Sequence, residues 1–169
     1  METKSARSRT ISWDDPSAAV KEAAGRSGLE LLREIASKRV PPPPISITMG
    51  FYLVEVGEGR AVFEGDPGEY LYNPIGVVHG GFAMTLLDSA MGCSVHSTLK
   101  AGDRYTTLEV KTNFVRPITL ETGRVRCEGV IVHRGSTIAT AEGKVTAIES
   151  GQLLAHGMTT CLIIPARSA

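Results

Sequence analysis

One long helical pattern is set among six β-rich runs, and this imbalance narrows the possible folds more than any other feature of the chain. The runs are ISITMGFYLVEV (45–56), RAVFEG (60–65), RYTTLEVKTNFVRP (104–117), TGRVRCEGVIVHRG (122–135), STIATAEGKVTAIES (136–150) and GQLLAHGMTTCLII (151–164), divided by Gly or Pro signals. The first two, joined by Gly57-Glu58-Gly59, read as a hairpin. In the third, Leu108, Val110 and Phe114 alternate with Glu109, Lys111 and Asn113, so one face is buried and the other polar, as antiparallel sheets allow. A single helix, from near His79 to about Leu99, has to cover that face. Its spacing puts Ala83, Leu86, Leu87, Ala90 and Ser94 on one stripe toward the sheet. The expected class is α+β: about six antiparallel strands against one central helix.

The chain ahead of the strands reads as an extension. Asp15-Pro16 is a cap followed by proline at the first helical position, and Gly25 closes a short helix. Ser27 and Glu30 have capping-box spacing and open a second helix with Leu29, Leu32, Ile35 and Ala36 on one stripe. The prolines 41–44 end it. Residues 1–44 are therefore expected to be a tail, short helices and a Pro-rich linker, and residues 45–165 one domain. The extension holds eight basic and six acidic side chains, too even for the basic footprint of a DNA-binding helix pair. Over the whole chain 18 positive side chains meet 18 negative ones, which leaves no excess to draw it to nucleic acid or anionic lipid. Cys93, Cys127 and Cys161 are odd in number and far apart, unlike a secreted disulfide framework, so a reducing, cytoplasmic setting is expected. No apolar run approaches the ~20 residues of a membrane span. METKSARSRT lacks the apolar core of a secretory signal and reads as a short frayed tail, although its Ser/Arg bias also suits a transit peptide.

The stretch NPIGVVHGGFAMTLLDSAMG (73–92) carries the candidate chemistry. Asp88 falls beside the apolar stripe, on a strip with Gly81, Met84, Gly92 and Val95. Two glycines on one helical face cost ~1 kcal/mol each relative to Ala, which makes sense if a ligand or another backbone comes close there. A solvated aspartate beside incidental glycines fits the same spacing. Gly80 and Gly81 occupy the first helical turn, where backbone N–H groups lack partners and the dipole is positive, a setting suited to a developing oxyanion. Glycines easing a tight entry into the helix fit equally well. His79, alone beside the helix start, reads as a hydrogen-bonding cap rather than a base.

Together with YTTLEVKTNFVRP and VHRGSTIATAEGKV, this stretch resembles the hotdog-fold acyl-CoA thioesterases of the PaaI-like, phenylacetate-pathway type, over about residues 45–164. The resemblance implies a curved antiparallel sheet wrapped around the long helix, subunits paired through their sheets as a dimer and assembled as a tetramer, and an active site across the dimer interface. It implies hydrolysis of an acyl-CoA substrate without metal or cofactor. The Gly80 amide would bind the oxyanion, and Asp88 would act as nucleophile or general base on a thioester held at the facing subunit's Gly80. Asn73 would orient water or the thioester, with His79 beside it, and Thr107 would support the acid. Alternation along the strand places Thr107 opposite Leu108 and Val110, facing away from its own core. Arg134, Gly135 and Ser136 match a turn that contacts the CoA phosphates, and a solvated turn arginine fits the same residues. The acyl group stays open among short, medium and aromatic.

Two other readings use the same residues. A hotdog hydratase or dehydratase pairs a histidine base with an acid, which His79 and Asp88 imitate, but without the HGG start at this acid spacing. A non-catalytic acyl-CoA sensor would keep the cavity, though not the full set of Asn73, Gly80, Asp88 and Thr107. Cys93 and His96, three apart, lack further metal ligands nearby, and Cys93 as a nucleophile lacks a base.

Overall fold

The computed structural model describes residues 6–166, without the side chains of residues 18, 19 and 22. Three short helices come first, α1 (Pro16–Ala23), α2 (Gly28–Ala36) and α3 (Pro44–Met49). Six strands follow, β1 (Phe51–Gly57), β2 (Arg60–Gly65), β3 (Arg104–Phe114), β4 (Val125–Arg134), β5 (Ile138–Ala147) and β6 (Leu153–Ile164), with the long helix α4 (Gly80–His96) between β2 and β3. All the strands pair antiparallel in the order β1-β2-β4-β5-β6-β3. This is the expected α+β hotdog, a curved sheet of six strands around one central helix.

The first two helices start as their caps dictate. Asp15 accepts from the Ser17 N–H at 2.9 Å, Pro16 occupies the first turn of α1, and Ser27 and Glu30 form a reciprocal capping box on α2. Residues 44–49 depart from expectation, because they form a helix rather than the start of the first strand. Pro44 sits in the first turn, where a missing N–H costs nothing, and Gly50 closes α3 in the left-handed conformation at φ 79° and ψ 44°. The free carbonyls at its end are taken up from far away in sequence. The Arg9 guanidinium donates to the Ile47 and Thr48 carbonyls at 3.1 and 2.7 Å and lies 3.8 Å over the Tyr70 ring. With Arg7 paired to Glu69 at 2.6 Å, these contacts hold the segment expected to be frayed, from Arg7 onward.

The stripe on α4 faces the sheet as its spacing requires. Phe82, Ala83, Leu86, Leu87, Ala90, Met91, Ser94 and Val95 are all buried, most of them against inward residues of the sheet that include Phe63, Val125, Cys127, Val145 and Cys161. Under the middle of the helix, Gly129, Gly143 and Gly157 stand side by side on β4, β5 and β6. A Cβ at Gly129 would lie 2.3 Å from the Ala90 carbonyl carbon, and one at Gly143 would lie 3.0 Å from Leu87 and Met91 side-chain atoms. At Gly129 the missing side chain lets the helix backbone rest almost directly on the sheet, and at Gly143 and Gly157 it makes room for the Leu87 side chain. No helix among the described residues is long and apolar enough to cross a membrane.

Candidate active site

The loop entering α4 is built around Asn73 and His79. Asn73 Oδ1 accepts from the backbone N–H groups of Ile75 and Val77 at 3.1 and 3.3 Å, and the Asn73 N–H donates to the Val77 carbonyl at 2.8 Å, closing a compact turn. Its Nδ2 has no partner among the described residues. His79 is the N-cap: its Nδ1 accepts from the Gly81 N–H at 2.9 Å, and its carbonyl accepts from Phe82. A Cβ at residue 81 would come within 2.9 Å of that ring nitrogen, so glycine at 81 is what allows the imidazole to fold back over its own helix. With Gly81 and Phe82 satisfied, the Gly80 N–H finds no acceptor among the described residues. It stands at the positive end of a helix of 17 residues. Gly80, Asn73 and His79 line a cavity of about 680 Å³ together with Met84, Phe114 and Ile118. Phe114, 56% exposed, lies so close that a Cβ at Gly80 would sit 2.9 Å from its ring.

Asp88 and Thr107 meet, contrary to the alternation read from the sequence. Thr107 Oγ1 donates to Asp88 Oδ1 at 3.0 Å. The register of β3 against β6 skips a residue between Thr107 and Glu109, so Leu108 bulges out and is 55% exposed. One extra residue reverses the parity of a strand, and the bulge turns Tyr105 and Thr107 toward the helix on the same face as Val110. Leu108 is accordingly not on the buried face assigned to it by alternation, whereas Phe114 keeps the face of Val110 and stands partly exposed at the cavity beside Gly80. The glycine strip beside Asp88 also needs correction. Gly92 is crowded by the Tyr105 hydroxyl of the same chain, 2.8 Å from where a Cβ would stand, and Val95 is fully buried, so within the chain both are filled by its own fold. Burial holds the Tyr105 phenol well above its usual range, and it pushes the Cys93 thiol up to about 12, with the Asp88 charge adding to it. Cys93 is therefore a thiol near neutral pH and no nucleophile. His96 is kept neutral by burial, its ring 5.4 Å from that of Tyr105.

Asp88 and Thr107 line a second cavity of about 200 Å³, separate from the one at Gly80. Eight residues of helix, about 12 Å of rise, lie between the Gly80 amide and Asp88. Arg134 is not brought to either. At the end of β4 it donates to the Thr98 hydroxyl at 3.1 Å, beyond the far end of α4, and to the neighbouring Gly135 carbonyl. Part of the second cavity comes from residues given no role in the sequence reading, Leu32, Ile35, Pro42, Pro43, Ile45 and Ser46. Nothing local marks them, since they read as a packing helix, a linker and the start of the first strand.

Residues 75–154 match the family model of the thioesterase superfamily, a span that includes Gly80, Asp88 and Thr107. The chain is 32% identical over 90 residues to a candidate esterase of Saccharolobus solfataricus, covering 53% of this chain and 62% of that protein, less than two thirds of its length. It is 25% identical over 99 residues to the 1,4-dihydroxy-2-naphthoyl-CoA hydrolase of Listeria monocytogenes, covering 59% of this chain and 79% of that protein. Among solved structures, a mutant of the phenylacetic acid degradation protein PaaI of Thermus thermophilus aligns with a TM-score of 0.64 at 26% identity, over 71% of this chain and 98% of the other. Sheet order, helix placement and the matched core agree: the chain folds as a hotdog like PaaI, and its residues 75–154 resemble the thioesterase superfamily.

Proposed function

We propose that this protein hydrolyses acyl-CoA thioesters at sites shared between two copies of the chain. The observation that carries the reading is the separation just described. A carboxylate oriented by a hydroxyl and a free amide at a helix start are both present, yet within one chain they lie in different cavities about 12 Å apart along α4. One thioester reaches both only if the amide comes from one copy and the acid from another. In that arrangement the Gly80 N–H donates to the thioester carbonyl oxygen and holds the charge that develops on it. Thr107 occupies Asp88 Oδ1 and leaves Oδ2 free to take a proton from water as that water attacks the carbonyl carbon, or to attack it directly. Collapse of the tetrahedral intermediate expels the CoA thiolate, which leaves with a proton; the product is the free acid or, after direct attack, an acyl–aspartyl anhydride that water then hydrolyses to the acid and free Asp88. Asn73, with its amide nitrogen unused at the same cavity as Gly80, orients water or the carbonyl. Arg134 of either copy serves the CoA phosphates.

Release of free thiol from a panel of acyl-CoA esters tests the activity. Tight CoA-ester binding without turnover on any member favours the sensor. The shared site is tested by subunit mixing. Gly80→Pro removes the critical N–H at a position where proline suits the helix, and His79 already has the extended backbone (φ −59°, ψ 136°) required before it. Mixed with inactive Asp88→Asn subunits, inactive Gly80→Pro subunits should recover activity, because each mixed pair regenerates one intact site. No recovery in verified mixed dimers rules out sharing. Thr107 is tested by rate: Thr107→Val should lower kcat about tenfold or more with KM little changed, and Thr107→Ser, which keeps the hydroxyl, should restore most of it.

A further inference from the structure

We infer that the segment preceding the sheet, residues 28–46, walls the acyl pocket and sets the size of the acyl group accepted; this builds on the assignment of Asp88 as the reacting carboxylate. The cavity beside Asp88 and Thr107 takes one side from α4 and β3 and another from Leu32, Ile35, Pro42, Pro43 and Ile45. Remove those five side chains and that side has no wall. The Thermus thermophilus protein is matched over 98% of its length by 71% of this chain, so this chain carries material that the other fold does without.

The wall is firmly seated. Gly28 opens α2 against the end of α4, its N–H donating to the Leu99 carbonyl at 3.0 Å, with so little space that a Cβ would fall 1.8 Å from the His96 carbonyl oxygen. Leu32 is buried, and Arg9 clamps the far end of α3. Ile45, in contrast, is 50% exposed and lines the cavity, so half of a large apolar side chain is left uncovered near a carboxylate. A polar pair at one end of a small apolar space suits a ligand with one reactive polar group and a compact apolar tail. A cavity of about 150 Å³ lined by aliphatic and aromatic groups accommodates benzene. At about 200 Å³, this one holds an acyl group little larger, and an extended chain collides with Ile35 or Ile45.

Non-hydrolysable thioether analogues of isobutyryl-CoA and octanoyl-CoA, titrated calorimetrically into the full chain, test the wall independently of turnover. Wild type should prefer the isobutyryl analogue by about tenfold or more. Ile45→Ala should erode that preference by tightening the octanoyl analogue, and Ile45→Trp should sharpen it. Thermal melts check that both variants fold, and the alanine variant alone suffices if tryptophan is not tolerated. The same affinity ratio in wild type and variants overturns the inference. A shifted ratio without hydrolysis of the matching esters leaves the wall standing and removes the catalytic reading. Hydrolysis with a fixed ratio does the opposite, and failure to bind either analogue overturns both.

Discussion

Asp88→Asn should fold and assemble as wild type does and lose ~10² or more in kcat, about 2.7 kcal/mol of transition-state stabilisation, with KM for the acyl-CoA little changed. The substitution keeps the size of the side chain and an oxygen able to accept from Thr107, so the 3.0 Å contact can persist while basicity and nucleophilicity are lost. Asp88 also lies on the edge of the buried stripe rather than in it, next to fully buried Leu87, so the core does not depend on its charge. A structural aspartate gives the opposite result, a changed melting temperature with kcat near wild type. Steady-state kinetics beside a thermal melt separates the two, and retained kcat removes Asp88 from the mechanism.

Gly129→Ala should destabilise the fold severely, although Gly129 itself lines neither cavity of the site. The added methyl would lie 2.3 Å from the Ala90 carbonyl carbon, 2.4 Å from its oxygen and 2.6 Å from the Met91 nitrogen, all backbone atoms of α4. No rotamer change relieves such contacts; the helix must lift off the sheet. The cost should reach or pass the upper end of the ~1–3 kcal/mol usual for overpacking, a fall in Tm of roughly 6–12 °C for a chain of this size. Gly57→Ala is the control, because a Cβ there meets nothing within 4 Å and should leave the melt almost unmoved. Equal melting of the two variants would show that the helix does not rest on Gly129 as tightly as described.

The sequence made the helix stripe legible because every member of it, from Ala83 to Ser94, answers to one period and one apolar surface. The caps at Asp15 and Ser27 were legible because the partners lie two or three residues away. What could not be read depends on contacts distant in sequence. Whether Thr107 points at Asp88 hangs on the bulge at Leu108, which the pairing of β3 with β6 determines and no local pattern announces. The helical state of residues 44–49 is supported by Arg9, 38 and 39 residues away from its two acceptors. Gly80 and Asp88 were legible as candidates through the resemblance, and His79 as a cap through its position. The wall contributed by α2, the linker and α3 was not, since apolar residues beside prolines look the same whether they face a cavity or the core.

The glycine band at residues 129, 143 and 157 also bears on how the chain reaches its fold. Neighbouring strands ordinarily hold one another through cross-strand side-chain pairs, and glycine in a strand interior weakens it. At the centre of β4, β5 and β6 those pairs are absent, so that part of the sheet gains its stability from α4 lying on it. Neither layer is sound alone. The helix and the three strands should therefore form and open as one cooperative unit in native-state hydrogen exchange, so the scaffold beneath Asp88 is either fully assembled or lost altogether.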